Sequence, residues 1–491
     1  MTVKMFKSAL TPPLNLLINK SFSECSFPES LKIRKVSPLF KQGANEILSN
    51  YRPLSLVSPL SKVYEKIVVK QISRFLRKHK ILYEHQYGFR ESLNTEAAIE
   101  KCHNVLLTDK KKHKYSVIVA VDLKKAFDTV RFDLLMYKLK RMGFSEKFCK
   151  WLESYLVGRT QYVEIQVGNK KYKSKKLLVL GGVPQGSVIA AILFILFVND
   201  IATYFKKKFT LEALKSLFLI LLFADDILMV IRSQCLENLE KDTYVLMNYL
   251  LQWCEMNFLN FNEDKTVFML IHNRITCNWN FNIFVNERQL EEVNALKYLG
   301  LYLDNKLNFE MHCEKIRSKI ASSIFVLRML SKFCDKKLLL LAYHALVESH
   351  INYYINTWSC ASNKQIEKIF ILQKKSIRTI LKLKQDTSCR EHFIKNEILT
   401  LPAKIIMNHL KLLAKRLKGD KAETHGYGTR YHQLSILSKN DAYLTKAWKF
   451  FNKLPTIIQE SIYKPTFYKL ATRHLIAKCP YSVNEFLNVH E

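Results

Sequence analysis

No Cys-x-x-Cys pair occurs in this sequence of 491 residues, and its 11 cysteines are scattered singly. That argues against a zinc ribbon and a disulfide framework, and for a reducing compartment. Long apolar runs are missing as well. The longest, Val188 to Val198 and Leu217 to Ala224, fall short of the roughly 18 to 20 residues that span a bilayer. The N-terminus lacks the charged, apolar and cleavage segments of a secretory signal. No tandem repeat is present, and no low-complexity tract is longer than Lys110-Lys111-Lys112. An intracellular protein of the nucleus or cytoplasm, with no membrane partner, is expected.

Acid is scarce beside base. Asp and Glu total 43 against 77 Lys and Arg, a net charge of +34. An excess this large, spread along the whole chain, favours a polyanionic partner. A polyphosphate backbone fits better than a membrane surface, because no cationic amphipathic anchor stands out. With 48% hydrophobic and 24% charged residues the chain is globular. Its length allows about two to four domains or sub-domains.

The rest is organised around Phe223-Ala224-Asp225-Asp226. Apolar runs flank it, Leu217 to Leu222 before and Ile227 to Ile231 after. This pattern predicts a β-hairpin with the carboxylates at its turn. Two adjacent acids beside a buried hairpin repel each other and lose hydration, which is costly without a compensating cation or donors. Mg²⁺, held by one or two carboxylates plus substrate phosphates, is the usual compensation. Taken alone, the pair also suits a solvated turn.

Other features change that balance. Tyr115 to Val121 reads as a buried strand delivering Asp122 at its end, with Phe127 and Asp128 just beyond. Gly181 to Ser187 is a loop whose glycines let backbone approach a ligand closely, and Ser187 caps the apolar helix after it. Thr95 is the expected cap of a helix to Leu107, followed by a basic connector from Lys110 to Lys114. Lys41 and Arg52 flank a turn; spacing alone assigns them to surface solubility, although a fork and a point charge could grip a triphosphate. By pattern alone Phe127 is a core residue. Asn262 to Thr266 is a turn running into a strand, and Leu296 to Leu303 is a short strand pair. From Asn308 onward the periodicity is helical, with basic faces that suit a phosphate backbone. A Gly426-Tyr427-Gly428 loop interrupts the last helices. Three carboxylates meeting on one sheet edge could hold two Mg²⁺ about 3.5 to 4 Å apart for in-line phosphoryl transfer. A nuclease could use the same acids, but it would need neither the Gln185 loop nor an aromatic behind the first acid.

These residues resemble the reverse transcriptases of LINE-type (non-LTR) retrotransposons, particularly the jockey-like elements. Val121 to Val130 is similar to the first palm motif, Gly182 to Ser187 to the second, and Phe223 to Asp226 to the third, with Phe in place of the commoner Tyr. Asn50 to Lys66 resembles the fingers segment, Asn262 to Met269 the motif after the catalytic hairpin, and Leu296 to Asp304 the primer grip. Tyr354 to Arg378, including Leu372-Gln373-Lys374-Lys375, resembles the thumb. Glu397 to Pro402 and Phe451 to Pro455 resemble the C-terminal tail.

The resemblance implies an α+β right-hand polymerase. Its parts would be an N-terminal helical extension (1–30), fingers and palm with an antiparallel palm sheet (31–304), a helical thumb (305–385) and a helical tail (386–491). It implies an RNA-directed DNA polymerase that copies an RNA template from a DNA 3′-hydroxyl, using deoxynucleoside triphosphates and two Mg²⁺, with Mn²⁺ as a substitute. Asp122, Asp225 and Asp226 would be catalytic metal ligands. Lys41, Arg52, Phe127, Gln185 and Gly186 would bind the nucleotide, and Lys297 would lie near the primer end. Neither an endonuclease segment nor a ribonuclease H motif is recognisable, so target nicking is not expected of this chain. The alternative is a catalytically silent nucleic-acid-binding remnant of such an element.

Overall fold

A computed structural model of the chain describes residues 7–488, apart from 42, 92, 113–114, 185, 209–217, 273–280 and 421–440. The expected Gly426 to Gly428 loop and Gln185 lie outside the described residues. The chain divides into two compact units. The first comprises Met1–Ala98, Val117–Phe268 and Asn278–Glu291; the second comprises Ile99–Ser116, Met269–Cys277 and Glu292–Glu491. The class is the expected α+β, with sheets in the first unit and a helical C-terminal region in the second.

The first unit opens with helix α1 (Lys7–Ser23). Strands β1 (Ile33–Phe40) and β2 (Tyr51–Leu56) then form an antiparallel pair, with Leu39 opposite Arg52 and Phe40 opposite Tyr51. Helix α2 (Pro59–Lys78) follows. Ser58 caps it by accepting from the Leu60 N–H, and Pro59 fills a first-turn position where no N–H is needed. One stripe of α2 is buried: Tyr64, Glu65, Val68, Ile72 and Leu76, the spacing of a core-facing helix. Helix α3 (Thr95–Lys112), whose residues from Ile99 onward belong to the second unit, differs from expectation twice. Asn94, not Thr95, is the cap, accepting from the Ala97 N–H at 2.9 Å. The lysine run expected in a connector instead extends the helix to Lys112, since lysine is a good helix former and costs little there.

Strand β3 (Tyr115–Val121) is buried throughout save Ala120, as a central strand must be. After the two-residue strand β4 (Leu123–Lys124) come helices α4 (Phe132–Arg141) and α5 (Glu146–Leu156). Strand β5 (Thr160–Val167) pairs parallel with β1 and antiparallel with β6 (Lys170–Lys173) and β7 (Leu177–Leu178). Helix α6 (Ala190–Phe197) buries every residue but Ala191. A helix apolar on all sides belongs in a core. Helix α7 (Ile201–Lys208) follows it. Strands β8 (Phe218–Phe223) and β9 (Asp226–Ser233) form the predicted hairpin, with Phe223 opposite Asp226. After helix α8 (Leu236–Met256) and strand β10 (Asn260–Phe261), the chain enters β11 (Val267–His272). Within this unit β3 lies next to β9 in the sheet, and β9 next to β8.

The second unit contains the hairpin of β12 (Ala295–Tyr298) and β13 (Leu301–Asp304), then helices α9 (Glu310–Leu330) and α10 (Asn363–Leu381), which pack along each other. Gln373 on α10 is wholly buried and well satisfied. Its amide donates to Tyr343 Oη (2.9 Å) and the Leu399 carbonyl (3.0 Å), and its oxygen accepts from the Leu401 N–H (2.8 Å). Helices α11 (Leu401–Asp420) and α12 (Ala442–Phe451) build a further core with Phe467–Lys478, around Leu410, Leu413, Phe450, Phe467 and Leu475. Among the described residues no helix is long and apolar enough to cross a membrane.

A buried carboxylate joins three elements of the first unit. Glu65 is fully buried on α2; it accepts from Ser61 Oγ (3.1 Å), Tyr155 Oη (2.8 Å) and the Val188 N–H (2.7 Å). Glu65→Ala strands all three donors and is expected to cost about 3 kcal/mol or more. Tyr155→Phe removes one donor and leaves Glu65 two partners, so it should cost distinctly less. Urea unfolding midpoints of the two variants check this; equal losses would mean the carboxylate is not the shared anchor.

Candidate active site

Asp122 follows directly on β3 and is held from the far side of the chain. Its N–H donates to Thr266 Oγ1 (3.2 Å), and its carbonyl accepts from the Asn262 N–H (2.9 Å). The Asn262 side-chain amide donates to Asp122 Oδ2 at 2.5 Å. Thr266 and Asn262 are both buried, and Thr266 Oγ1 also donates to the Asn262 carbonyl at 2.8 Å. Strand β10 adds a short ladder, with Phe261 opposite Leu123. The carboxylate is therefore fixed in backbone position and in rotamer.

Asp225 occupies the turn between β8 and β9, and Asp226 is the first residue of β9. Ala224, which precedes them, has φ +56°. A left-handed residue at the first turn position lets the hairpin keep the strands' twist, at a cost for any residue with a Cβ. β3 and β9 are neighbours in the sheet. Both hairpin carboxyls are accordingly pushed above the usual carboxylate range. For Asp225 the causes are lost hydration and then the charge of Asp122, opposed by the nearby Arg52 guanidinium. Asp226 rises to about 6, through lost hydration and the charges of Asp225 and Asp122. Both side chains still reach solvent, so the loss of hydration is partial.

The loop after β7 is bolted onto this centre. The Gly182 N–H donates to the Val130 carbonyl (2.9 Å) and the Val183 N–H to the Phe127 carbonyl (2.8 Å). Gly182 has φ +82°, and a Cβ there would sit 2.8 Å from the Asp128 backbone. At Gly186, φ is +109° and a Cβ would meet the Ser55 carbonyl oxygen at 2.6 Å. Neither position admits a side chain. Phe127 is half-buried; one face stacks on the fully buried Phe194, with centroids 4.5 Å apart and planes at 26°.

The structure thus gathers Asp122, Asp225, Asp226 and Arg52, and ties Phe127 and Gly186 to the surrounding loop. Lys41 is exposed just past β1, its N–H bonded to the Asn50 carbonyl (2.9 Å). Lys297 lies on β12 of the second unit, its ammonium 5.9 Å from the Tyr302 ring centroid. Sequence reasoning did not single out Asn262, Thr266, Phe194 or Glu65. For the first two, the turn from Asn262 to Thr266 and the resemblance of Asn262 to Met269 to the motif after the catalytic hairpin marked the segment but not the contact with Asp122.

Among the described residues, no three acidic, histidine or cysteine side chains close around a metal site by themselves. The donor set nevertheless suits a hard divalent cation. Mg²⁺ takes one or two carboxylates and completes its shell with water and phosphate oxygens. Lost hydration first, and like charge second, raise Asp225 and Asp226, and the charge of such an ion offsets both costs.

The raised carboxyl of Asp226 sets a stability trend. A carboxyl raised in the folded state costs stability when ionised. The cost is absent below its unfolded pKa, near 4, and develops as pH rises through the folded value of about 6. In buffer free of divalent ions, Asp226→Asn should therefore melt above wild type at pH 7, and the gap should close between pH 6 and pH 4. Thermal melts across that range check it; an Asn variant melting below wild type at pH 7 would contradict the raised carboxyl.

The chain is similar to known proteins. The family profile for reverse transcriptase (RNA-dependent DNA polymerase) matches residues 33–303. The RNA-directed DNA polymerase from mobile element jockey of Drosophila melanogaster is 26% identical over 388 residues, covering 77% of this chain and 41% of that protein. The probable RNA-directed DNA polymerase from transposon BS, of the same organism, is 26% identical over 373 residues, 75% of this chain and 40% of that protein. Its counterpart from transposon X-element is 27% identical over 380 residues, 76% and 39%. The chain spans about 40% of the length of these curated relatives. Among solved structures, apo telomerase from Candida tropicalis superposes with a TM-score of 0.42 at 15% identity, over 79% of this chain and 66% of that one. The profile covers more than half of the sequence, and the chain belongs to the reverse transcriptase family.

Proposed function

We propose that the chain is an RNA-directed DNA polymerase of the jockey-like non-LTR kind, extending a DNA 3′-hydroxyl along an RNA template with deoxynucleoside triphosphates. The observation that carries this reading is the sheet pairing that sets β3, and Asp122 directly after it, beside β9 with the Asp225–Asp226 turn, within the stretch 33–303 that matches the reverse transcriptase profile. Asp122, Asp225 and Asp226 would hold two Mg²⁺, or Mn²⁺. When bound, such ions supply Lewis acidity, easing deprotonation of an attacking hydroxyl and stabilising charge on the phosphates. Asn262 keeps one oxygen of Asp122 engaged and leaves the other to a ligand. Arg52 offers a planar fork for phosphate oxygens and Lys41 a point charge.

Phe127, backed by Phe194, would support the deoxyribose and leave no room for a 2′-hydroxyl. Gln185 and Gly186 would position the template base and incoming nucleotide, and Lys297 would hold the primer end. Residues 31–304 would act as fingers and palm, 305–385 as thumb and 386–491 as tail, with 1–30 as an extension. The work would be done in the nucleus or cytoplasm.

Primer extension on an RNA template tests this. Wild type should incorporate deoxynucleotides, and Asp225→Ala should lose at least about a hundredfold in rate, a loss of several kcal/mol of transition-state stabilisation. No incorporation by wild type, or an unchanged rate in the variant, would end the proposal. Phe127→Ala opens space beside the sugar and should raise ribonucleotide use relative to deoxyribonucleotide by about tenfold or more. Competition between the two nucleotide pools measures that ratio, and an unaltered ratio would remove Phe127 from sugar selection.

A further inference from the structure

The segment Gln86-Tyr87-Gly88-Phe89-Arg90 has no role so far, yet it lies against the turn that carries Asp225 and Asp226. It runs beside β8 as one added rung: Gln86 bridges Leu222 in parallel. The Tyr87 N–H donates to the Leu222 carbonyl (2.8 Å), and the Leu222 N–H donates to the His85 carbonyl (3.0 Å). Gln86 is wholly buried. Its side-chain oxygen accepts from the Gly88 N–H (3.0 Å) and from the Ala224 N–H (3.3 Å).

Ala224 is the strained, left-handed residue of the turn. Its N–H faces the segment so closely that a Cβ on Gly88 would lie 2.7 Å from it. Arg90 closes the segment from behind, its guanidinium donating to the carbonyls of Tyr83 (2.9 Å), Glu84 (3.4 Å) and Gln86 (3.1 Å). The other end of the Gln86 amide, its Nε2, is buried without a partner among the described residues. An unmet buried donor is costly. A hydrophobic residue would avoid that cost but could not accept from Ala224.

The geometry points to Gln86 as a positioning residue for the catalytic turn: its side-chain oxygen holds Ala224 in the left-handed conformation that aims Asp225 and Asp226 at their ligands. This rests on the polymerase reading for the identity of those ligands. Gln86 touches neither carboxylate, so it acts through the backbone. Supports of this kind, one step removed from metal ligands, typically alter metal affinity or activity by about 10- to 100-fold when lost.

The test compares Gln86→Leu and Gln86→Met, which remove the acceptor at similar size, with Gln86→Glu, which keeps it. Mn²⁺ binding is read by electron paramagnetic resonance with primer–template present, and extension kinetics are read alongside. Leu and Met should weaken Mn²⁺ binding by about tenfold or more and lower kcat, with KM for the nucleotide within about twofold of wild type. Glu retains the oxygen and adds negative charge, so its Mn²⁺ affinity should be at least that of wild type. If only the melting temperature falls, with Mn²⁺ affinity and kcat unmoved in folded Leu or Met protein, Gln86 is merely structural and the inference is overturned. A Glu variant as impaired as Leu overturns it too. Wild type that binds Mn²⁺ but extends no primer sinks the polymerase reading alone, because the Mn²⁺ arm still decides the role of Gln86. Wild type that binds no Mn²⁺ sinks both.

Discussion

Holding three carboxylates near one another, short of hydration and beside like charge, is the constraint around which the candidate site is built. Asp225 and Asp226 are adjacent in sequence, and Asp122 is brought to them by the pairing of neighbouring strands. Left to themselves they would turn apart into water. The fold prevents this by making each backbone position expensive to change. Asp122 is clamped by Asn262 and Thr266, and the hairpin is set by a buried ladder from Ile227 to Ile231 opposite β8. The electrostatic cost is left in place, partly offset by Arg52. Function of this kind is commonly built by holding like charges where a ligand will later neutralise them.

The loop from Gly181 to Ser187 shows the same economy in packing. Two of its glycines have no room for a Cβ, one against Asp128 and one against Ser55. Those contacts link the loop to the segment after the first acid and to β2. Ser187 then accepts from the Ala190 N–H at 3.1 Å, and Val188 is gripped by Glu65. A single buried carboxylate on α2 thus helps to hold the loop in register with α5 and α6. Changes at Glu65 act on the site through backbone placement and not by contact with a substrate.

Much of this was legible from local pattern. The apolar–acid–acid–apolar run around Asp225 specified a hairpin because strand alternation and turn position are short-range properties. Asp122 at the end of a β-branched run was equally readable. Long-range partners were not. Nothing near Asn262 in the chain indicates that its amide reaches a carboxylate 140 residues earlier. Phe127 reads by pattern as core, and its half-buried ring stacked on Phe194 suits a core role and a site role alike. The cap of α3 moved by one residue, from Thr95 to Asn94, because both types can cap and only the backbone decides between them.

Burial disfavours the charged form of a side chain in both units. In the second, His103 sits 2.5 Å from Tyr443 Oη, and that hydroxyl donates to Thr357 Oγ1 at 3.2 Å. Burial drives the His103 pKa down to about 3, and those of His312 and His409 to about 4 and about 3. These imidazoles are neutral throughout the physiological range, so the bond between α3 and α12 does not titrate there. It joins residues 340 apart in sequence, which makes the second unit complete only once both ends of a long stretch are present. In the first unit the same physical effect moves a group the other way. Lost hydration and like charge bring Asp226 up to about 6, near neutrality instead of away from it. The histidines, which ordinarily titrate near neutrality, have become structural, and an aspartate has taken their range at the candidate active site. The opposite directions follow from the charge each group would carry, a cation for the imidazoles and an anion for the carboxyl, since burial disfavours both.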